Sequence, residues 1–466
     1  MLYFCLKCHF PLAPKENPPR PCANCGLSWE IAAAPAPTNA KDALAFLGRG
    51  RMLWSQREYA SAIEAFTRAV ALDPLLAEAY NERGRAHTAR RDLRLAVADF
   101  DVALCLDAKN AAYWNNRGLA RLMQQELDQA RSDFDRALAL DQHGTQAYCN
   151  RAYVHHRQRR LEDALADLNV ALELAPKFAE AYHLRGLVQV SRRQLDRALA
   201  DFDAALALRP KSIPFRNNRG LARAAVADLS GAIADYTFVL EVQPDHVEAR
   251  HNRGLAHKES GDFELAVADF TRALELDPSL ANAYHNRAFC KFALGDFDQA
   301  LADYDLEIGL HPTRALAHFN RGFVRMAKGE YDRALQDFDR ALELEPTFAL
   351  AWFRRGEIAR MGCDYDSAIG DYTQALERRP ELEAAWLHRG ECYLQVGDLD
   401  RALADFLEAV RLKPALPLAW YLCGQVRRER GDLAGALTDF DRAIAVDPRF
   451  LAAHQARAEA QKQQSD

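Results

Sequence analysis

Residues 281–314 read ANAYHNRAFCKFALGDFDQALADYDLEIGLHPTR. On either side of Gly295-Asp296 the apolar residues recur at three- and four-residue spacing, the period of amphipathic helices. The pattern predicts a first helix from about Asn282 to Leu294 and a second from about Asp298 to Leu310. The second must stop before Pro312, which cannot continue it. Moved by 34 residues in either direction, the same pattern returns. In rows of 34 from Ala43, proline fills one column at 74, 176, 210, 244, 278, 312, 346, 380, 414 and 448, with Ala108 and Gln142 as the departures. Alanine fills another column in all twelve rows, from Ala62 to Ala436, and aspartate a third from Asp99 to Asp439. No insertion breaks the register.

A length of 466 residues would ordinarily suggest about three globular domains. A repeat array escapes that rule, because it grows along one axis without enlarging a single core. Half of the residues are apolar and 27% charged, so the chain has enough hydrophobic material to fold. Small-residue columns have a steric reading: Gly50, Gly84, Gly118, Gly186, Gly220, Gly254, Gly322, Gly356, Gly390 and Gly424, with the alanines, let paired helices approach closely. Four residues after each column alanine stands an aromatic core filler, Phe66 through Phe440, with Leu168 as the exception.

A 34-residue helix–turn–helix with an early aromatic, then Gly, Ala, Phe or Tyr, Ala and Pro resembles the tetratricopeptide repeat (TPR). The resemblance spans Ala43 to Phe450, twelve units (residues 43–450). It departs at Arg216 and Arg250, which replace the early aromatic, and at Glu307, in a column usually held by alanine. It implies an all-α, right-handed superhelical solenoid whose first helices line a concave surface. Residues 451–466 begin like a further first helix and turn into Gln461, Lys462, Gln463 and Gln464, the polar end-cap a solenoid needs.

Ahead of the repeats, Cys5-Leu6-Lys7-Cys8 and Cys22-Ala23-Asn24-Cys25-Gly26 form two CxxC pairs. Four thiolates suit one tetrahedral, structural zinc ion, and residues 1–30 resemble a small zinc ribbon. Redox chemistry at one CxxC competes with this reading, but it normally calls for a thioredoxin-like fold that so short a segment cannot build. Residues 31–42 read as a Pro/Ala linker. The other six cysteines stand singly, as reduced and mostly buried thiols do. Neither a membrane span nor a secretory leader is legible, so the cytoplasm is the expected compartment.

Three columns of the first helix bear on function. The sixth place holds Asn116, Asn150, Asn218, Asn252, Asn286 and Asn320, with Leu184 interrupting. An amide can pair with a peptide backbone whatever its side chains. A similar asparagine ladder lines the repeat domain of O-linked N-acetylglucosamine transferases, whose catalytic half has no counterpart here. Three places on, the same face carries Leu119, Tyr153, Leu187, Leu221, Leu255, Phe289 and Phe323. Amides beside apolar groups suit a bound protein segment, whereas packing between neighbouring first helices is the plainer reading of both rows. The seventh place is arginine in eleven units, from Arg49 to Arg389, and with the aspartate column it points to repeated structural Arg–Asp pairs.

No phosphate loop, HExxH or GxSxG occurs, His155 and His156 point to different sides, and His251 and His285 share a polar column with Asn81 and Asn217. The expectation is a non-enzymatic scaffold holding a protein or peptide segment. Nucleic-acid association through the ribbon and thiol-redox regulation are the alternatives. A net charge of -6 argues against the first, and tightly bound zinc would exclude the second. Partner identity and self-association stay open.

Overall fold

The computed structural model describes residues 39–465 and, ahead of them, the backbone of three strands, Tyr3–Cys5, Pro11–Leu12 and Ile31–Ala33. The strands pair antiparallel with the first in the middle, Tyr3 facing both Leu12 and Ala33 and Cys5 facing Ile31. Three residues expected in the linker therefore belong to a strand. Cys8, Cys22 and Cys25 lie outside the described residues, and of Cys5 only its place at the end of a strand is given.

From Ala40 onward the described chain is entirely helical, with twelve helix pairs and a last helix, Leu451–Ser465. The quoted stretch forms Ala281–Ala293 and Phe297–Leu310, within a residue of the expected bounds. The first helix opens at Ala40, three residues ahead of Ala43, where Asn39 caps it by accepting the Asp42 N–H. The chain divides into two compact bodies, Met1–Asp235 and Tyr236–Asp466, and the division falls inside the helix Leu229–Val242.

In each body an aromatic ring fills the space between paired helices, in every repeat but the fourth. Phe66, Phe100, Phe134 and Phe202 in the first body, and Phe270, Phe338, Tyr372, Phe406 and Phe440 in the second, are buried. Each such side chain contributes roughly 1.5–3 kcal/mol relative to exposure. The glycine column exists because of these rings: a Cβ on Gly84 would lie 2.8 Å from Cε1 of Phe100, and one on Gly254 2.8 Å from Cε1 of Phe270. The fourth repeat has Ala152 in that column and the smaller Leu168 in place of the ring, both fully buried.

The early-aromatic column has a second task. Trp114 donates its indole N–H to the Ala108 carbonyl at 2.9 Å, Trp386 to that of Pro380 at 2.8 Å and Trp420 to that of Pro414 at 3.0 Å. This satisfies a backbone acceptor just past the preceding second helix. Arg216 and Arg250, the departures seen in sequence, donate to the Pro210 and Pro244 carbonyls at 3.1 and 2.7 Å. They replace the ring and keep the bond.

Glu307 is the sharpest departure. It is completely buried in a second column that most repeats fill with alanine, 3.1 Å from His285 Nδ1 and 3.0 Å from an Arg314 nitrogen. A buried carboxylate survives only with such partners.

Candidate peptide-binding surface

The arginine at the seventh place orients each first helix. Arg287 sends Nε and Nη2 to the two oxygens of Asp303 at 2.8 and 2.6 Å, and Nη1 to Thr271 of the preceding repeat at 3.1 Å. Arg117 does the same with Asp133 and Asp101, and Arg355 with Asp371 and Asp339. One guanidinium thus joins both helices of its own repeat and the second helix of the repeat before. The two columns alone do not tell whether their pairs form within or between repeats; the pairs form within the repeat, and the contact to the repeat before uses a different acceptor. The second acceptor, two places after the column aspartate (Asp101, Asp135, Asn169, Asp203, Thr237, Thr271), was missed in sequence, although short polar residues recur there.

With the arginines facing inward, the sixth and ninth places lie at the surface between first helices. In the first body Asn116 Nδ2 donates to Asn81 at 2.9 Å, Asn150 to Asn115 at 3.0 Å, and Asn218 to His183 Nε2 at 2.8 Å. Each rung crosses to the preceding first helix. These three amides serve packing on one N–H, and all three stay half-buried. Leu184, the interruption, is buried. Alongside, Leu119, Tyr153 and Leu221 are exposed and Leu187 is half-buried.

In the second body Asn286 accepts from Lys258 Nζ at 2.8 Å and donates to the Asn282 carbonyl at 2.7 Å. Asn252 and Asn320 are half-buried. By the spacing of the other rungs Asn320 would reach His285, but that ring is turned to Glu307. Phe289 is 46% exposed with Lys258 Nζ 5.7 Å from its ring centre, while Leu255 and Phe323 are half-buried and Arg354 lies 4.9 Å over Phe323. Cations over rings add polar atoms to an apolar row.

The histidines of the fifth place, His251 and His285 of the polar column and His183 with them, pack against aromatic rings. His183 stacks on Phe215 at 4.4 Å, His251 lies 5.5 Å from Phe270 and His285 5.9 Å from Tyr304. Burial among these rings pushes the His183 imidazole down to about 4 and lowers that of His251. His155 and His156 diverge as expected, one 3.8 Å from Asp167 and the other bonded to Ser191.

Models of the tetratricopeptide repeat match residues 247–280 and 315–348, residues 47–114, 81–145, 115–177, 149–213 and 362–417, and residues 270–302. Together they cover well over half of the chain. This chain belongs to the tetratricopeptide repeat family. Among solved structures, the TPR array is similar to Cut9–Hcn1 of the APC/C at 15% identity, a TM-score of 0.43 and coverage of 90% of this chain and 96% of that one. Yeast Tom70 is 18% identical with a TM-score of 0.40 over 91% and 96% of the two chains. YrrB, described as a TPR protein with an unusual peptide-binding site, is 26% identical with a TM-score of 0.37 over 41% of this chain and 97% of its own. No curated protein matches the chain. Among the described residues of the array, no helix is long and apolar enough to cross a membrane.

Proposed function

We propose that the chain is a non-enzymatic scaffold that holds an extended segment of a partner protein along the first helices of its repeats. The observation that supports this is the row itself. Leu119, Tyr153 and Leu221 in one body and Phe289 in the other stay exposed at a fixed place in the repeat, each beside a half-buried amide. Singly exposed apolar residues need no explanation, but a periodic row flanked by hydrogen-bonding groups suits a segment with both backbone and side chains to satisfy. The test is affinity capture on the intact chain against a Leu119→Ser, Tyr153→Ser, Leu221→Ser, Phe289→Ser variant with an unchanged melting profile. Partners should be lost from the variant; identical partner lists would remove the row from consideration.

Cys5, Cys8, Cys22 and Cys25 we read as the seat of one structural zinc ion, on the spacing of the two CxxC pairs. Elemental analysis should find one zinc per chain, lost in a Cys5→Ser, Cys22→Ser variant. A metal-free protein with a disulfide among these cysteines would favour the redox alternative instead.

A further inference from the structure

Four repeats carry a second cation beside the arginine fork, at the eleventh place of the first helix, and it reaches the same aspartate; the twelfth, with Cys423 in the fork's place, has Arg427 there instead. Arg121 lies 2.9 Å from Asp133, Arg223 3.0 Å from Asp235, Lys291 2.9 Å from Asp303, Arg325 2.9 Å from Asp337 and Arg427 2.8 Å from Asp439. The fifth repeat puts Gln189 in that place. Asp201 is 6% exposed and among the described residues receives side-chain hydrogen bonds from Arg185 alone, whose remaining nitrogen goes to Asn169. Gln189 is 7% exposed, and its Oε1 is buried with no hydrogen-bond partner among the described residues. Where those five repeats have a cation, the fifth has a cleft of about 600 Å³, running from Gln189 and Asp201 out to the exposed Glu162 and Arg197.

We infer that this cleft is a binding site for a guanidinium group: an arginine side chain of a partner protein enters the seat that the third, sixth and ninth repeats fill with an arginine of their own. The acceptors fit. A guanidinium presents five N–H donors and no acceptor, and here it meets a carboxylate with lone pairs to spare and an amide oxygen without a donor. Leu165, Ala166 and Ala200 line the cleft and offer an apolar bed for the aliphatic stem. The resident cations do not forbid entry. Arg185 is held by Asp201 and Asn169, Arg192 lies 3.0 Å from Glu162, and Arg197, exposed at the mouth, donates to Gln194 at 3.2 Å. In the eighth repeat two cations, Arg287 and Lys291, already share Asp303, with Thr271 as the only added acceptor of the fork. The site is separate from the row of sixth and ninth places, since Gln189 shares its face with Arg185, toward the second helices.

The test uses the full chain and ligand-observed saturation-transfer NMR with N-acetyl-arginine-methylamide. Its neutral citrulline isostere and N-acetyl-aspartate-methylamide serve as controls. The arginine probe should bind at least about tenfold more tightly than citrulline, the ratio expected for charge-assisted hydrogen bonds. Gln189→Arg, which fills the seat from within, should abolish binding and raise Tm, while Gln189→Ala, which removes one acceptor and leaves Asp201, should weaken binding without abolishing it. The Gln189→Ala chain keeps the test meaningful should the larger substitution fail to fold. No saturation of the arginine probe, equal binding of citrulline, preference for the aspartate probe, or unchanged binding to the Gln189→Arg chain would each overturn the assignment.

Discussion

Each fork arginine is a half-buried cation matched to a buried anion, and its value lies in position more than in net energy. Removing one partner of such a pair typically costs about 3–5 kcal/mol, because the other charge stays buried. The twelfth repeat shows the fork incomplete: Cys423 stands in the arginine's place, and the fully buried Asp439 has Arg427 at ion-pair distance but accepts no well-formed hydrogen bond. Burial accordingly pushes the Asp439 carboxyl above its usual range. His183 allows a sharper residue-scale prediction. Its folded-state pKa, down to about 4 against an ordinary value of 6.5, means that the native state holds it neutral. The stability this represents is complete above pH 6.5 and is lost as pH falls from 6.5 toward 4, where the unfolded chain takes up the proton first. The full effect is on the order of 3 kcal/mol. His183→Asn should keep the rung to Asn218, since asparagine serves that place in other repeats, and flatten this part of the profile. Urea denaturation of both proteins between pH 7 and pH 4.5 measures it; parallel profiles would refute the assignment.

Within a helix pair, the glycine and the ring are one device. Gly84 lets Phe100 lie flat against the first helix, and a methyl there would come within 2.8 Å of the ring. Gly84→Ala should therefore cost about 1–3 kcal/mol, as overpacked cores do. Combined with Phe100→Leu, the loss should be smaller than the sum of the two single effects, because the fourth repeat already pairs Ala152 with Leu168. A double-mutant cycle on thermal or urea unfolding measures the coupling; strict additivity would mean that the two residues do not share the space. The eighth repeat pairs Ala288 with Tyr304, both buried in one cluster. The turn between paired helices also needs a left-handed residue. In the second body it is glycine at 261, 295, 329, 397 and 431, with Cys363 the exception, whereas in the first it is Arg57, Arg91, Gln125, Arg159, Arg193 and Ala227. For a residue with a Cβ that conformation costs roughly 1–2 kcal/mol, and the helices on either side impose it.

For the molecule as a whole, contacts run between sequential neighbours, so stability is carried locally and the ends matter most. The last helix, Leu451–Ser465, packs Ala456 and Ala460 on Ala436 and Phe440, and Arg457 reaches Asp441 at 2.8 Å, the contact a fork arginine makes to the preceding repeat. It is a thirteenth first helix whose outer residues Gln461, Lys462, Gln463 and Gln464 are exposed. Deleting residues 451–466 should uncover Phe440 and lower hydrogen-exchange protection first in Pro417–Glu429 and Leu433–Val446, while earlier repeats keep theirs. A uniform loss along the chain would contradict local stability.

The repeat register, the helix bounds, the ring in each core and the structural nature of the Arg–Asp columns were legible in the sequence. Each is set by a local period or a steric demand that recurs every 34 residues, and recurrence makes such demands visible. Tertiary structure decided what depends on meetings across that period. It showed that Arg287 spans two repeats through Thr271, that Arg216 and Arg250 preserve a bond to a proline carbonyl, and that three asparagines spend an N–H on the neighbouring helix. Gln189 illustrates the difference. In sequence it is one polar residue among many in a variable column, and only the packed helices, with Asp201 buried beside it and no second cation from its own first helix, turn that substitution into an open seat.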